Sequence, residues 1–442
     1  MPDRFALFAE RQRAGREIRQ TLPRPGQGLW KGRGDRVDPL EILQTVHRGR
    51  LENILAIKYG RMAASPFGFF RGSAAVMASD LAGLPTTGIH AQVCGDAHVR
   101  NLGAYAAPDG HLVFDINDFD ESVHGPWEWD LKRLATSFVL VGREAGERNR
   151  FCCDAVELLV RSYREALAEF ARMSALRLFR YEIRSMPAQS PIGLTLRKAE
   201  RETPRRLLEK LTVPARGGSR RFAKRSPLLE PLSTERRRKV LAALARYRST
   251  VSEDRQLLLA AYRPVDAAFK AVGVGSLGTR DYVVLCTGTA PEDILFVQVK
   301  EEPPSCYEMF VGSSDAPIHQ GHRVARAQHR MQTISDPFLG WTTIDGRDYL
   351  VRQLADHKAA VAPEELSGRS LEQYAYVCGR LLAKAHARTG DPAVLSGYCG
   401  ASDKLDLALR RFAVAYADQT EADRERLLAA IRSGRIRARR GV

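Results

Sequence analysis

The chain has 442 residues, of which 44% are hydrophobic and 27% charged, the balance of a globular protein long enough for two or three packed bodies. No apolar run reaches the roughly 18 residues that span a bilayer, and the N-terminal MPDRFALFAERQRAGREIRQ lacks the apolar centre of a secretion signal; a soluble, cytoplasmic protein without membrane contact is expected. The formal net charge of +16 favours an anionic partner such as a nucleotide, an acidic metabolite, nucleic acid or a membrane surface, without choosing among them.

Taken in chain order, residues 1–38 are basic and punctuated by Pro23, Pro25, Gly26 and Gly28, which reads as an arm on the surface. Residues 39–63 show helical periodicity, SPFGFFRG at 65–72 breaks it, and a second apolar helix runs through Leu81. A short strand follows over Ile89 to Val93. Leu102–Tyr105 and Leu112–Asp115 flank Ala-Pro-Asp-Gly, a hairpin signal. From Trp129 to about Ser174 the pattern is helical. Residues 197–225 hold eleven Lys or Arg against three Glu; they read as a solvated, mobile insertion or as a surface for an acidic partner. Only Phe222 is interleaved among them, so stacking on single-stranded nucleic acid has little support. Helical pattern resumes at 234–262. Residues 272–300 read as a glycine-rich turn, a strand Tyr282–Cys286 and a strand Leu295–Val299. A helix at 319–333, the strand-like GWTTIDGRDYLVRQL, a long helix at 371–388 and a helical C-terminal region with a basic tail complete the chain. No internal repeat is visible. The seven cysteines contain no CxxC pair, so neither a disulfide framework nor a zinc site is legible, which suits a reducing compartment. Cys152 and Cys153 fall in an apolar helical pattern and read as packing residues.

The chemistry concentrates between Cys94 and Glu121, CGDAHVRNLGAYAAPDGHLVFDINDFDE. Asp96 follows a strand and a glycine. Asn101 can bring a carboxamide oxygen back to the same point, and the predicted hairpin folds Asp115 and Asp118 towards it. Two carboxylates and an amide oxygen suit Mg²⁺, which takes one or two carboxylates and completes its shell with water and phosphate oxygens. Asp96, spared from the metal, is the candidate proton acceptor for an attacking hydroxyl, the division of labour of phosphoryl-transfer sites. The competing reading of Asp115, Asn117, Asp118, Asp120 and Glu121 is a solvated acidic turn. His98 either orients the catalytic loop or merely caps it.

CGDAHVRN resembles the HGDxHxxN catalytic loop of aminoglycoside phosphotransferases, choline kinases and related small-molecule kinases, and VFDINDFDE resembles their acidic metal motif. Cys94 stands where those enzymes carry a histidine. The resemblance leaves the metal aspartate open: spacing from Asn101 favours Asp115 and the DFD context favours Asp118. It also assigns Asp130 in WDLKRLA to holding the catalytic loop. Nearly the whole chain, through RMAASPFGFFRG, CGDAH, FDINDFDE and WDLKRLA, resembles an uncharacterised bacterial family of unknown function.

A kinase also needs a phosphate cradle, and the candidate lies downstream: Gly273, Gly275, Ser276 and Gly278 in a GxGxxG turn, then Lys300 at the end of the second strand. Backbone N–H groups of such a turn approach phosphates closely, and a lysine two strands along can reach them. The bland reading of Lys300 is an exposed strand-end lysine. Catalytic loop first and nucleotide part second implies circular permutation, with YAYVCGRLLAKAHARTGD (374–391) resembling the helix that normally precedes the catalytic loop. The expected organisation is an α+β, protein-kinase-like, permuted fold: a basic arm at 1–38, a catalytic part at 39–262 with the insertion at 197–225, a nucleotide part at 264–358, and completing helices at 359–442. ATP and Mg²⁺ are the expected cofactors, with an unidentified hydroxyl acceptor. One part is missing: helix 319–333 offers Gln320, Arg323 and Gln328 but no acid for Lys300, and Glu308 is the nearest upstream candidate. The rival readings are a pseudokinase or an AMP-transferring enzyme on the same fold, a metallophosphoesterase, whose further histidine motifs are not found around His111, His124 or His319, and a basic nucleic-acid binder, which leaves the acidic motif unexplained.

Overall fold

The computed structural model describes residues 6–32, 34–183, 186–215, 219–271, 275–290, 293–312, 319–354 and 357–439. It is an α+β protein in which an antiparallel sheet sits beside a helical body. The first four strands are β1 (His90–Val93), β2 (Leu102–Ala106), β3 (Leu112–Ile116) and β4 (Val123–Pro126). β2 and β3 form the hairpin expected around Ala107–Gly110, with Leu102 opposite Ile116. β1 pairs antiparallel with β4, Val93 opposite Val123. That second pairing turns the chain between them into a long loop closed on itself, so the Asp96 and Asp120 segments leave the ends of one ladder and must lie side by side.

The helical body forms because its apolar residues recur at three- and four-residue spacing. In helix Asn149–Phe170, Val156, Leu159, Val160, Tyr163, Leu167 and Phe170 are buried, and helix Arg369–Thr389 packs against that stripe through Leu371, Tyr374, Cys378, Leu381 and Leu382. Helix Glu128–Glu144 and the long helix Lys404–Arg432 complete the same core. Residues 1–38 differ from the expected surface arm. Helix Phe8–Thr21 lodges against helix Pro392–Cys399, Arg19 Nε donates to the Tyr398 carbonyl at 2.9 Å, and Gln27 is buried with its amide on the Tyr398 hydroxyl. The basic composition concealed this, because Arg19 and Arg24 spend their charges on the carbonyls that end a helix, Gly397, Tyr398 and Cys399.

The later strands are β5 (Thr212–Pro214), β6 (Arg220–Phe222), β7 (Leu229–Pro231), β8 (Arg263–Lys270), β9 (Asp281–Thr287), β10 (Ile294–Glu301), β11 (Gly340–Ile344), β12 (Arg347–Gln353) and β13 (Ala359–Ala360). Six of them form one sheet in the order β11-β12-β10-β9-β8-β7, antiparallel throughout. Strand alternation divides its residues cleanly. Tyr282, Val284, Cys286, Leu295, Val297 and Val299 face helix Thr234–Arg248 through Val240, Ala243 and Tyr247. Val283, Leu285 and Phe296 face the other way, onto Leu211 and Phe222. By the same alternation Gln298 and Lys300 share the Phe296 face. The 197–225 segment is therefore not a solvated insertion: it contains helix Pro204–Leu211 and the β5–β6 ladder, with Phe222 buried and its N–H on Asp266 Oδ2 at 2.9 Å. Leu207, Leu208, Leu211, Phe222 and Ala223 suffice because they pack against one sheet face. Among the described residues no helix is long and apolar enough to cross a membrane.

Candidate functional site

The loop after β1 is held from below by Asp130, on the first turn of helix Glu128–Glu144. Its two carboxylate oxygens accept from the Cys94 and Gly95 N–H groups at 2.7 and 2.9 Å, and His386 Nε2 lies 3.4 Å away, its other nitrogen on the Tyr163 hydroxyl at 2.8 Å. Gly95 is required here. Its φ is +78°, a region costly for other residues, and a Cβ on it would stand 2.2 Å from the Glu121 carbonyl oxygen. The catalytic-loop candidate and the acidic loop thus touch through bare backbone.

Asp96 emerges from that contact with 16% of its side chain open. Arg133, one helical turn beyond Asp130, donates from Nε to Asp96 Oδ1 at 2.7 Å. Burial pushes the Asp96 carboxyl up to about 7, against the pull of Arg133, with the charges of Asp118 and Glu121 adding to the rise. His98 is buried, its Nδ1 accepts from the Arg100 N–H at 3.2 Å, and its Nε2 stands 3.7 Å from Asp96 Oδ2. Burial and then the charge of Arg71 lower its basicity far below the ordinary value, so it is neutral and orients the loop. The Asn101 amide donates from Nδ2 to the Asp96 carbonyl at 2.6 Å, which turns its oxygen outward; Asn101 lines the cleft described below.

The structure separates the two metal-ligand candidates. Asp118 lines the cleft, with its carboxyl raised by burial and by the neighbouring charge of Asp120. Asp115 does not: it is buried in β3, its Oδ2 paired with Lys384 from helix Arg369–Thr389 and its Oδ1 on the Ile116 N–H at 2.9 Å. The spacing argument for Asp115 as a ligand is corrected by this pairing, because its charge is already neutralised inside the helical body.

Lys300 is buried on β10 and pairs with Asp120, with Glu302 Oε1 at 3.7 Å. Burial works against its charge, but the charge of Asp120 above all holds its ammonium above the ordinary value. Burial would likewise raise Asp120, yet Lys300 holds that carboxyl down at about 2. The acid missing from the helix is thus supplied by the acidic loop, 180 residues away in sequence. Glu308, the sequence candidate for that role, accepts instead from Gln320 Nε2 at 3.2 Å. Arg323 takes the helix position facing the site. It donates to the Ser122 and Asp120 carbonyls, each at 2.8 Å, and to the Pro303 carbonyl at 3.1 Å.

Of the glycine-rich turn, Gly273 lies outside the described residues. Gly275, Ser276 and Thr279 line the same cleft, of about 780 Å³, as Asp96, His98, Asn101, Asp118 and Asp120. A Cβ on Gly275 would stand 3.9 Å from Asp96 Oδ2. The Gly278 carbonyl accepts from the Leu51 N–H at 2.8 Å, fastening the turn to the N-terminal helices.

The residues fit Mg²⁺ and a nucleotide. Among the described residues no three of His, Cys, Asp and Glu form a ready metal cage, and Mg²⁺ requires none, since one or two carboxylates, an amide oxygen and phosphate oxygens suffice. Asp118 and Asn101 could supply that set, and Asp120 Oδ1 is a buried oxygen without a hydrogen-bond donor. The turn at Gly275 offers side-chain-free backbone beside Asp96, where phosphates would approach.

The bacterial family described as an uncharacterised protein conserved in bacteria (DUF2252) matches residues 50–430. The chain belongs to this family. No match was found among curated proteins or among solved structures.

Family membership brings no site, and the sequence reading missed part of this one. Arg50, Lys58 and Arg71 also line the cleft. Lys58 carried a legible signal: with Ile54 and Met62 it forms an i, i+4, i+8 row, and a lysine in a buried apolar row is placed for chemistry or pairing rather than solvation.

Proposed function

We propose that this chain is an ATP- and Mg²⁺-dependent phosphotransferase with a circularly permuted, protein-kinase-like architecture, acting on a hydroxyl acceptor. One observation carries the reading: the Asp96–Asn101 loop, the Asp118–Asp120 loop and the Gly275–Gly278 turn, far apart in sequence, line one cleft, and Lys300 meets the acidic loop from the sheet. The antiparallel sheet of β7–β12 would be the nucleotide part, and the helical body the catalytic part.

In this reading Asp118 and Asn101 hold Mg²⁺, which when bound would draw charge from the transferring phosphoryl group. The Asp96 carboxylate accepts the proton of the acceptor hydroxyl as its oxygen bonds to the γ-phosphorus and the bond to the β,γ-bridging oxygen breaks, releasing ADP. A carboxyl held at about 7 is a stronger base than a free one and remains largely ionised just above neutrality. Asp130, His98 and Arg133 position it. Lys300 is the phosphate grip once the nucleotide competes with Asp120 for its ammonium.

The test is thermal unfolding with Mg²⁺-ATP, followed by transfer of label from γ- or α-labelled ATP to candidate acceptors. The reading expects stabilisation by Mg²⁺-ATP, γ-label transfer by the wild type, and loss of transfer with retained nucleotide binding in Asp96→Asn. Equal turnover in that variant would sink it. Stabilisation without transfer would favour a pseudokinase, and α-label transfer an AMP-transferring enzyme.

A further inference from the structure

Three cations on one wall of the cleft have no role in that reaction. Arg50 follows the short helix Pro39–Val46, Lys58 lies in helix Glu52–Ala64, and Arg71 closes helix Pro66–Gly72. Four other buried cations meet a carboxylate, Arg133 with Asp96, Arg164 with Asp406, Lys300 with Asp120 and Lys384 with Asp115, while Arg323 grips three backbone carbonyls and Lys132 lies over the Phe412 ring. Arg50, Lys58 and Arg71 make no ion pair among the described residues. Arg50 Nη1 and Lys58 Nζ instead converge on one neutral acceptor, the Gly275 carbonyl oxygen, at 2.8 and 2.6 Å. Lys58 is 2% exposed, and Arg71 Nε is buried without a hydrogen-bond partner among the described residues, its guanidinium 6.0 Å from the Phe67 ring centroid.

Burying an ammonium against a single carbonyl is expensive unless something anionic completes its shell. Arg50 Nη1 also donates to the Leu277 carbonyl at 2.9 Å, so both cations meet only neutral backbone oxygens, the arrangement expected where a ligand oxygen belongs. Gly275 marks how close this wall lies to the chemistry, since a Cβ there would be 3.9 Å from Asp96 Oδ2 and 4.0 Å from the Arg71 carbonyl oxygen. Lys300 approaches the acidic loop from the sheet, on β10, whereas these three cations reach the cleft from the N-terminal helices.

We propose that Arg50, Lys58 and Arg71 form an anion subsite for the acceptor, so that the molecule phosphorylated carries a phosphate or carboxylate group near its reacting hydroxyl. This rests on the phosphotransferase reading for the word acceptor, but the subsite itself does not need it. The three residues come from helices packed on the catalytic-loop side, where Phe67 stacks edge-on against His98 at 5.8 Å. A positive wall beside the base also disfavours the polycationic or quaternary-ammonium acceptors of the kinases this chain resembles.

Inorganic phosphate is the probe, titrated calorimetrically into the full-length protein with and without saturating Mg²⁺-ADP. The wild type should bind phosphate in both conditions, and Arg71→Gln and Arg50→Gln should each weaken it at least about tenfold, the loss of one charge-assisted contact. Both side chains are partly exposed, and circular dichroism confirms that the variants fold. Phosphate that binds the variants as well as the wild type, fails to bind the wild type, or is displaced by Mg²⁺-ADP would overturn the proposal; displacement would assign the cations to the nucleotide. A protein that binds phosphate but neither binds Mg²⁺-ATP nor transfers label keeps the subsite and loses the phosphotransferase reading.

Discussion

Removing the ammonium of Lys384 tests the claim that Asp115 is structural rather than a metal ligand. The Lys384 and Asp115 side chains are 0% and 6% exposed, and among the described residues the one further donor to the carboxylate is the Ile116 N–H at 2.9 Å. Lys384→Met keeps the length of the side chain and strands a buried carboxylate, which costs about 3–5 kcal/mol. Asp115→Asn combined with Lys384→Met removes both charges and should recover most of the loss. Urea unfolding followed by far-ultraviolet circular dichroism reads Lys384→Met, the double variant and Asp115→Asn alone. A Lys384→Met protein within about 1 kcal/mol of wild type would refute the reasoning. So would an Asp115→Asn protein of normal stability that no longer responds to Mg²⁺-nucleotide, since that is the behaviour of a ligand.

Three further outcomes follow from the site. In the proposed reaction the ionised Asp96 is the base, and because burial raises its carboxyl to about 7, transfer should rise about tenfold per pH unit below neutrality and level off above it; a profile flat between mildly acidic and neutral pH would remove Asp96 from proton transfer. The same shift favours the folded state fully below the unfolded carboxyl pKa, an advantage lost as pH climbs to about 7. Gly95→Ala should cost about 1–2 kcal/mol for the left-handed backbone alone, and more for the overlap with Glu121; thermal unfolding of a variant matching wild type would contradict the close approach. Both carboxyl oxygens of Glu302 are buried without hydrogen bonds among the described residues, and burial holds its pKa far above the ordinary range. Glu302→Gln should therefore change stability by less than about 1 kcal/mol, whereas Asp120→Asn, which strips Lys300 of its ion pair, should cost about 3–5 kcal/mol; the reverse ranking in chemical unfolding would show that Glu302 is the charged partner.

What was legible in the sequence is what depends on short spacing. The β2–β3 hairpin followed from alternation around Ala-Pro-Asp-Gly, and the proximity of Asp96 to the acidic loop followed from that hairpin. The helices at 149–170 and 369–389 followed from their apolar periods. Long-range choices were not legible. Asp115 and Asp118 are three residues apart and equally acidic, and only the position of Lys384, on a helix 269 residues away, consigns one to the core. The partner of Lys300 depends on the register of β10 and on the β1–β4 ladder, neither of which leaves a local signal. In the 1–38 and 197–225 segments composition misled, because basic residues there cap helix ends or flank a few well-aimed apolar side chains such as Phe222.

Helix Gln320–Met331 carries Arg323 and no acidic residue, and this decides what controls Lys300. Were the helix to carry the lysine's partner, moving the helix would make or break that ion pair. Here the partner is on the acidic loop, and the helix grips the backbone of the same loop: Arg323 spans the Asp120 and Ser122 carbonyls and also the Pro303 carbonyl just past β10. One guanidinium therefore fixes the distance between the loop that bears Asp118 and Asp120 and the strand that bears Lys300. Its fork is what allows three carbonyls to be met at once, which a single ammonium cannot reproduce. Arg323→Gln should cost about 3 kcal/mol, from buried carbonyls losing charge-assisted bonds, and should abolish stabilisation by Mg²⁺-ATP even though no ligand-facing side chain has changed. Arg323→Lys keeps the charge and should rescue little of either. Full rescue by lysine would mean that the charge alone matters, and the argument that Arg323 sets the geometry of the acidic loop would fail.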